Sequence, residues 1–236
     1  MAGVKIAAAA NGGSAEIAGP PDSSANTVLK LPADTGSAGQ VLAVASANHS
    51  GTNAELEWVD KDAASTGRKI LEEVGSPCDG SVIASANGNI TFPNVTASQT
   101  NGASYVEVTG SSISYNPPTG ATQVHYRFSY YQADVDDPQL AHWRLYLDSD
   151  EVTKARNTTR VGYYAGMNHF EWIFNIGGNA DTTVGRVASW SSAKTMKLEW
   201  REYSNAYNYK IHETVNWDGG DSAELCLPIL RVKAIG

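Results

Sequence analysis

The 236-residue sequence predicts an all-β protein in which a C-terminal antiparallel β-sandwich follows an extended N-terminal segment. Three observations predict this class. Apolar and polar residues alternate over many short runs, Gly, Asn and Pro separate the runs, and no segment shows sustained helical periodicity. Aromatic residues are absent before Trp58. We therefore expect residues 1–60 to form an extended attachment or stalk segment, 61–75 a linker or first strand, and 76–236 a knob.

Composition argues against several partners. The formal net charge is −8 and the sequence pI is about 5.1, which disfavours nucleic acid because phosphate binding needs clustered Lys and Arg. No apolar run approaches the roughly 18 residues of a membrane span, and no secretory signal is visible. We expect a protein that is soluble or is part of an assembly, with no membrane span and no cofactor.

The stalk segment, residues 1–60, consists mostly of small residues, and its apolar pieces are short. The pieces lie between Gly, Pro and Asn turn signals. Such pieces are too short to form an independent sheet. The segment is therefore expected to become ordered against other chains.

Three of these pieces follow each other in a specific order: Val28-Leu29-Lys30-Leu31-Pro32 with Gly36, then Gly39-Gln40-Val41-Leu42, then Leu56-Glu57-Trp58. This order resembles a segment near the N-termini of phage tail-fibre and fibre-like virion proteins, over about residues 26–60. The whole chain resembles small, trimeric virion proteins of cyanophages. The resemblance implies a location in the virion and attachment to other virion proteins. We expect the attachment contacts of the stalk segment at Val4, Ile6, Val28, Leu29, Leu31, Val41, Leu42 and Trp58.

The knob contains the clearest strand patterns. Apolar side chains alternate with polar ones from residue 123 to 130, 143 to 147 and 196 to 201, as in half-buried strands. Asp148-Ser149-Asp150 predicts a hairpin turn. A last strand is expected over Glu224–Ile235, with Leu225, Leu227, Ile229 and Leu230 as its apolar residues. About eight strands fit, which favours a sandwich or jelly roll.

The order of features in the knob supports a second resemblance. Phe92-Pro93-Asn94-Val95-Thr96 opens the domain, Leu145–Val152 lies midway, and a strand ends almost at the C-terminus. This order resembles the trimeric jelly-roll heads of the complement and tumour-necrosis-factor type, which phages also use as fibre tips. The resemblance implies a homotrimer packed around an axis.

No residue pattern identifies an enzyme, and we expect none. His125, His142, His169 and His212 lack metal-ligand spacing and are interpreted as surface or interface residues. Acidic loops at residues 134–137 and 148–151 allow a calcium site, but a solvated acidic surface explains them as well. Cys78 and Cys226 are interpreted as two buried thiols, with a long-range disulfide as the alternative.

Aromatic residues in loop-like sequence are the remaining functional signal. Tyr163, Tyr164, Trp190 and Trp217 stand beside Gly, Ser, Asn or Asp, where exposed rings would stack on a host-surface glycan. The alternative is that these rings fill the core or the trimer axis.

Two classes of function therefore remain open. The first is a virion structural protein, either a short fibre that contacts the host or a decoration protein that stabilises the capsid. The second is a carbohydrate-binding module or a small polysaccharide lyase, which would explain the aromatic residues but gives the stalk segment no role.

Overall fold

The computed structural model describes residues 4–7, 14–17, 28–50, 53–60, 67–133, 139–161, 166–204, 209–215, 217–219 and 222–236. The chain divides into two compact units, Met1–Gly67 and Arg68–Gly236. The second unit thus begins within the segment that was expected to be a linker or first strand.

The described residues of the N-terminal unit form five strands: β1 Val4–Ala7, β2 Ser14–Ile17, β3 Val28–Lys30, β4 Gln40–Ser50 and β5 Asn53–Asp60. Strands β1 and β2 form an antiparallel pair. Strands β4 and β5 form an antiparallel hairpin, and β3 joins β5 in parallel. The expectation that these pieces are too short for a sheet is therefore wrong. Small and polar residues that follow Val41 and Leu42 extend β4 to 11 residues, so this apolar piece belongs to a longer strand that pairs with β5.

The second unit contains the remaining strands: β6 Ile70–Pro77, β7 Val82–Ser85, β8 Gly88–Thr91, β9 Gln99–Thr100, β10 Val106–Glu107, β11 Ile113–Tyr115, β12 Gln123–Ala133, β13 Gln139–Leu147, β14 Asp150–Glu151, β15 Asn157–Val161, β16 Gly166–Asn175, β17 Lys194–Glu202, β18 Lys210–Ile211 and β19 Ile229–Ile235. Short 3-10 turns cover Thr153–Ala155 and Thr182–Val184.

These strands form two antiparallel sheets and a small β7–β8 hairpin. In sheet A, β12 lies between β16 and β19, β6 flanks β19, and β18 and β9 extend the sheet. In sheet B, β17 lies between β13 and the β10–β11 pair, and β14 and β15 flank β13. The chain thus winds between two sheets as in a jelly roll, which confirms the predicted fold class.

The core lies between the inner faces of sheets A and B. Strand β12 contributes alternate residues from Val124 to Tyr130, and β17 contributes Met196, Leu198 and Trp200, all of them buried. Trp143 on β13 packs in register beside Trp200. The inner faces read from the alternation are therefore confirmed for these strands.

Two other strand predictions need correction. The last strand begins at Ile229, and its inward residues are Leu230, Val232 and Ala234, while Leu225 and Ile229 are exposed. Pro228 lacks a backbone N–H, so the ladder begins only after it and the inward set shifts by one residue. The alternation of Trp172, Phe174 and Ile176 predicts three inward-facing residues, but only Phe174 is fully buried, and Trp172 and Ile176 are half-buried.

The predicted turn at Asp148 connects β13 to β14. Leu147 pairs with Asp150, so the loop has two residues, and Asp148 has a φ of 55°. An Asp tolerates this left-handed conformation better than most residues, which is why the local sequence predicts the hairpin well.

Candidate interaction surfaces

The acidic loop at 148–151 is paired with basic side chains. Lys194 Nζ lies 2.8 Å from Asp148 Oδ2, and the Thr195 backbone N–H donates to Asp148 Oδ1 at 2.8 Å. Arg156 Nε lies 2.7 Å from Glu151 Oε1 and lowers the pKa of that carboxyl. Because these carboxylates already have partners, the loop does not form the open oxygen cage that calcium needs. Asp134, Asp136 and Asp137 lie outside the described residues.

Within the part of the chain that the structure describes, no group of three or more His, Cys, Asp or Glu side chains converges on a metal position. One cavity between the hairpin at Asp148 and the turn at Thr182 has a volume of about 50 Å³. That volume suits a few water molecules rather than a drug-sized ligand, which needs roughly 300 Å³ or more.

The two cysteines are not joined. Cys78 is buried, and its thiol donates to the Gly110 carbonyl, while Cys226 is half-buried. Burial raises the pKa of Cys78 to about 12, with the nearby Asp79 charge adding to the shift. At neutral pH this thiol stays protonated and unreactive.

The N-terminal unit exposes apolar side chains in its three-stranded sheet and just after β3. Leu31 is 67% exposed, and Val41 and Leu42 on β4 are also exposed. Trp58 is held within the unit instead: its ring lies over Gly36, and its Nε1–H donates to the Asp34 carbonyl at 3.1 Å. The structure places the backbones of the other four predicted attachment residues, Val4, Ile6, Val28 and Leu29, in β1 and β3, and their side chains lie outside the described set.

The four aromatic residues predicted to contact a glycan do not share one environment. Trp190 is only 7% exposed, and its Nε1–H donates to the Tyr115 carbonyl at 3.1 Å. Its expected exposure is wrong, because the ring packs edge-on against Phe174 in the core. Trp217 is 61% exposed, as expected. Tyr163 and Tyr164 lie outside the described residues.

The outer face of sheet B carries a second aromatic group that sequence reasoning missed. Tyr203 is 63% exposed, and its ring lies 6.0 Å from the ring of His142 between centroids. Beside it, the guanidinium groups of Arg144 and Arg201 lie 3.6 Å and 5.4 Å from the Tyr105 ring centroid. We call these five residues the Tyr203 face. Alternation along β17 continues outward from Lys197 through Arg201 to Tyr203, and this pattern could have identified the position.

His212 is the one predicted surface histidine that the structure buries completely among the described residues. Its φ is 68°, and its Nε2–H donates to the Thr109 carbonyl at 2.9 Å. Nδ1 is buried without a hydrogen-bond partner among the described atoms. Burial lowers the pKa of His212 to about 4, so the imidazole is neutral in the folded chain at neutral pH.

This burial predicts acid sensitivity. The unfolded chain has a histidine pKa near 6.5, so between pH 6.5 and about 4 the unfolded state binds the proton more readily and stability falls as pH falls. From pH 7 to pH 5 the loss assigned to His212 is about 2 kcal/mol. Denaturant unfolding at both pH values should show this extra slope in the native chain and not in His212→Asn, since Asn tolerates the positive φ.

An equal pH slope in His212→Asn and the native chain would contradict the assignment.

None of the described residues forms a helix that is both long and apolar enough to cross a membrane.

Neither a protein-family model nor a curated protein matches the chain. Among solved structures, it is similar to a chain in the structure of infectious bursal disease virus, Gx strain, with 11% identity and a TM-score of 0.31. That match covers 76% of this chain and 41% of the solved one. For the Gt strain of the same virus the identity is 9%, the TM-score 0.31 and the coverage 76% and 43%. The chain thus spans about two fifths of the solved chains it matches.

Proposed function

We propose that this chain is a non-enzymatic structural protein of a virion, attached to the particle by its N-terminal unit and presenting the jelly-roll sandwich outward. One observation carries the proposal. The sandwich has a complete aromatic core, whereas the N-terminal unit exposes Leu31, Val41 and Leu42 and buries only Ala45 among its described side chains. A unit with so little core of its own gains stability when another surface covers its apolar side chains.

The resemblance of residues 26–60 to the N-terminal segments of phage fibre proteins supports the same arrangement and makes the fibre our preferred form of the proposal. A capsid decoration protein would use the same attachment surface, and the two forms differ in where the protein lies on the particle. The homotrimer implied by the resemblance stays a prediction.

Locating the chain on particles tests the proposal. Antibodies against the chain should label purified particles of the virus that carries this gene, at the tail or neck for a fibre and over the head for a decoration protein. Recovery of the chain only in the soluble fraction would contradict a virion role.

Substitution tests whether the exposed apolar residues of the N-terminal unit make the attachment contacts. A chain with Leu31→Ser, Val41→Ser and Leu42→Ser should bind particles that lack the native protein at least tenfold more weakly, because it loses apolar area on binding. The matched control carries Ile70→Ser and Val82→Ser, two exposed apolar residues of the second unit that belong neither to the proposed attachment residues nor to β16. Equal binding by both variants would exclude these three residues as attachment contacts.

Glycan contact is a second candidate role, and the Tyr203 face favours it. An exposed ring beside Arg and His side chains offers both a stacking surface and hydrogen-bond donors for sugar hydroxyls. A glycan array probed with the full chain should show binding. The Tyr203→Ala variant should lose this binding, and the Tyr203→Phe variant should keep it. Trp217→Ala provides the comparison for the tryptophan predicted from sequence. Binding that neither substitution weakens would exclude both positions.

A further inference from the structure

Strand β16 lies at an open edge of sheet A. It pairs with β12 along its whole length of 10 residues without a bulge. On its opposite edge, no described strand pairs with the stretch from Met167 to Ile173. The unpaired backbone groups of such an edge are a template for another strand.

The hydrogen bonds at the end of β16 fix which residues face the open edge. The Ile176 N–H donates to the Thr122 carbonyl on the β12 side, at 2.8 Å. The Asn175 carbonyl points the other way, where it accepts from the Val187 N–H at 3.1 Å. Because successive residues of a strand alternate, Met167, His169, Glu171 and Ile173 direct their N–H and C=O groups to the open edge. Their side chains are all exposed on the outer face of the sheet.

The backbone N–H of His169 shows how incomplete this edge is. It donates to the side-chain oxygen of Asn168, its own neighbour, at 2.8 Å. This local acceptor takes the place that a carbonyl would occupy in a continuing sheet. A second strand would supply that carbonyl.

Strand β16 also lacks the features that usually protect an edge. It contains no Pro, no Lys and no bulge. The opposite edge of sheet A is different, because β6 ends in Pro77 and its pairing with β19 is irregular at Ile235. Proline and bulges discourage pairing, and β16 has neither, so it is better suited than β6 to accept a strand. The one charged residue of β16 is Glu171.

We propose that β16 pairs antiparallel with β16 of a second copy of this chain, about a two-fold axis at Phe170. A two-fold axis makes every contact reciprocal. His169 then faces Glu171 of the copy, and Met167 faces Ile173 of the copy. Each imidazole gains a carboxylate acceptor and each apolar side chain gains an apolar neighbour, in the cross-strand positions that stabilise a sheet.

Alternative registers are less favourable. A shift of two residues in one direction places His169 opposite His169 and Met167 opposite Glu171. A shift in the other direction brings two Glu171 carboxylates together and requires the edge of Asn175, which Val187 already occupies. A shift by one residue would place a residue whose backbone N–H and C=O point to the open edge opposite a residue whose backbone groups point toward β12, so the two could not form hydrogen bonds. The open stretch is therefore self-complementary in one register.

Neighbouring charges within the chain leave His169 available. Its cross-strand neighbour on β12 is Ser129, while Glu171 faces Arg127. No ion pair of the described residues involves His169. The copy would thus supply the first acidic partner of this imidazole.

Sedimentation equilibrium of the full chain tests the pairing, independently of any virion role. The 25.1 kDa chain should associate reversibly to twice that mass. His169→Glu and Glu171→Lys each disrupt two symmetry-related pairs, so each should raise the dissociation constant about tenfold or more. The chain that carries both changes restores opposite charges and should return to within about threefold of the native value. Arg160→Glu, on the edge of sheet B, is the control and should have no effect.

A second variant addresses the backbone bonds. Ile173→Pro removes an N–H that points to the open edge, where an edge strand tolerates proline, so the folded chain should remain monomeric. A native chain that is monomeric at all concentrations would overturn the proposal, and so would one that forms only the trimer implied by the fibre resemblance. So would an oligomer whose dissociation constant is the same in the charge variants, or a double variant as weak as the single ones.

Discussion

Replacing Trp143 with alanine is expected to lower the free energy of unfolding of the sandwich by about 3–5 kcal/mol, the range for a fully buried large aromatic residue. Trp143 is 1% exposed on β13 and lies in register with Trp200 on β17. The two rings stack with their centroids 5.7 Å apart. On the other side of the core, the ring of Tyr130 from sheet A lies 4.8 Å from the Trp143 ring between centroids. Alanine would leave a cavity between the two sheets that these neighbours cannot fill.

Denaturant unfolding followed by fluorescence and circular dichroism measures this loss. Trp143→Phe keeps a ring but loses the Nε1–H that donates to Thr159 Oγ1 at 2.8 Å, so it should cost about 1–2 kcal/mol. Trp217→Ala is the matched control, since that tryptophan is 61% exposed and its loss should change stability by less than about 0.5 kcal/mol. Equal losses at positions 143 and 217 would contradict the assigned core.

Gly185→Ala is the second substitution with a large expected effect. Gly185 has a φ of +71°, and a Cβ there would lie 2.7 Å and 2.9 Å from two ring carbons of Phe174 and 3.3 Å from Val152. Phe174 is fully buried and cannot move without disturbing the core. The left-handed conformation costs about 1 kcal/mol for alanine, and the clash adds about 1–3 kcal/mol.

Gly178 separates these two costs. It has the same φ of +71°, but a Cβ at this position would meet nothing within 4 Å. Gly178→Ala should therefore lose only the conformational part, about 1 kcal/mol. The free energies of unfolding of the two variants, measured by thermal and denaturant unfolding, should differ by the cost of the steric clash. Equal losses of stability in Gly185→Ala and Gly178→Ala would contradict the close approach of Gly185 to the Phe174 ring.

The sequence by itself determined the fold class and the inner faces of most long strands. Alternation with a period of two is a local property, so the buried positions from Val124 to Tyr130 and from Met196 to Trp200 could be read directly. The turn at Asp148 was equally local, because Asp accepts the positive φ that a two-residue loop requires. These predictions needed no knowledge of which strands pair.

Only the tertiary structure decided which isolated residues are buried and which edges stay open. Trp190 stands among serines and looks exposed, yet it reaches Tyr115, 75 positions earlier, and fills the core. His212 looks like a surface histidine but is enclosed beside Thr109. Both depend on contacts between residues far apart in the chain, which no local pattern encodes. The open edge of β16 has the same origin, because an edge exists only once the order of strands in the sheet is known.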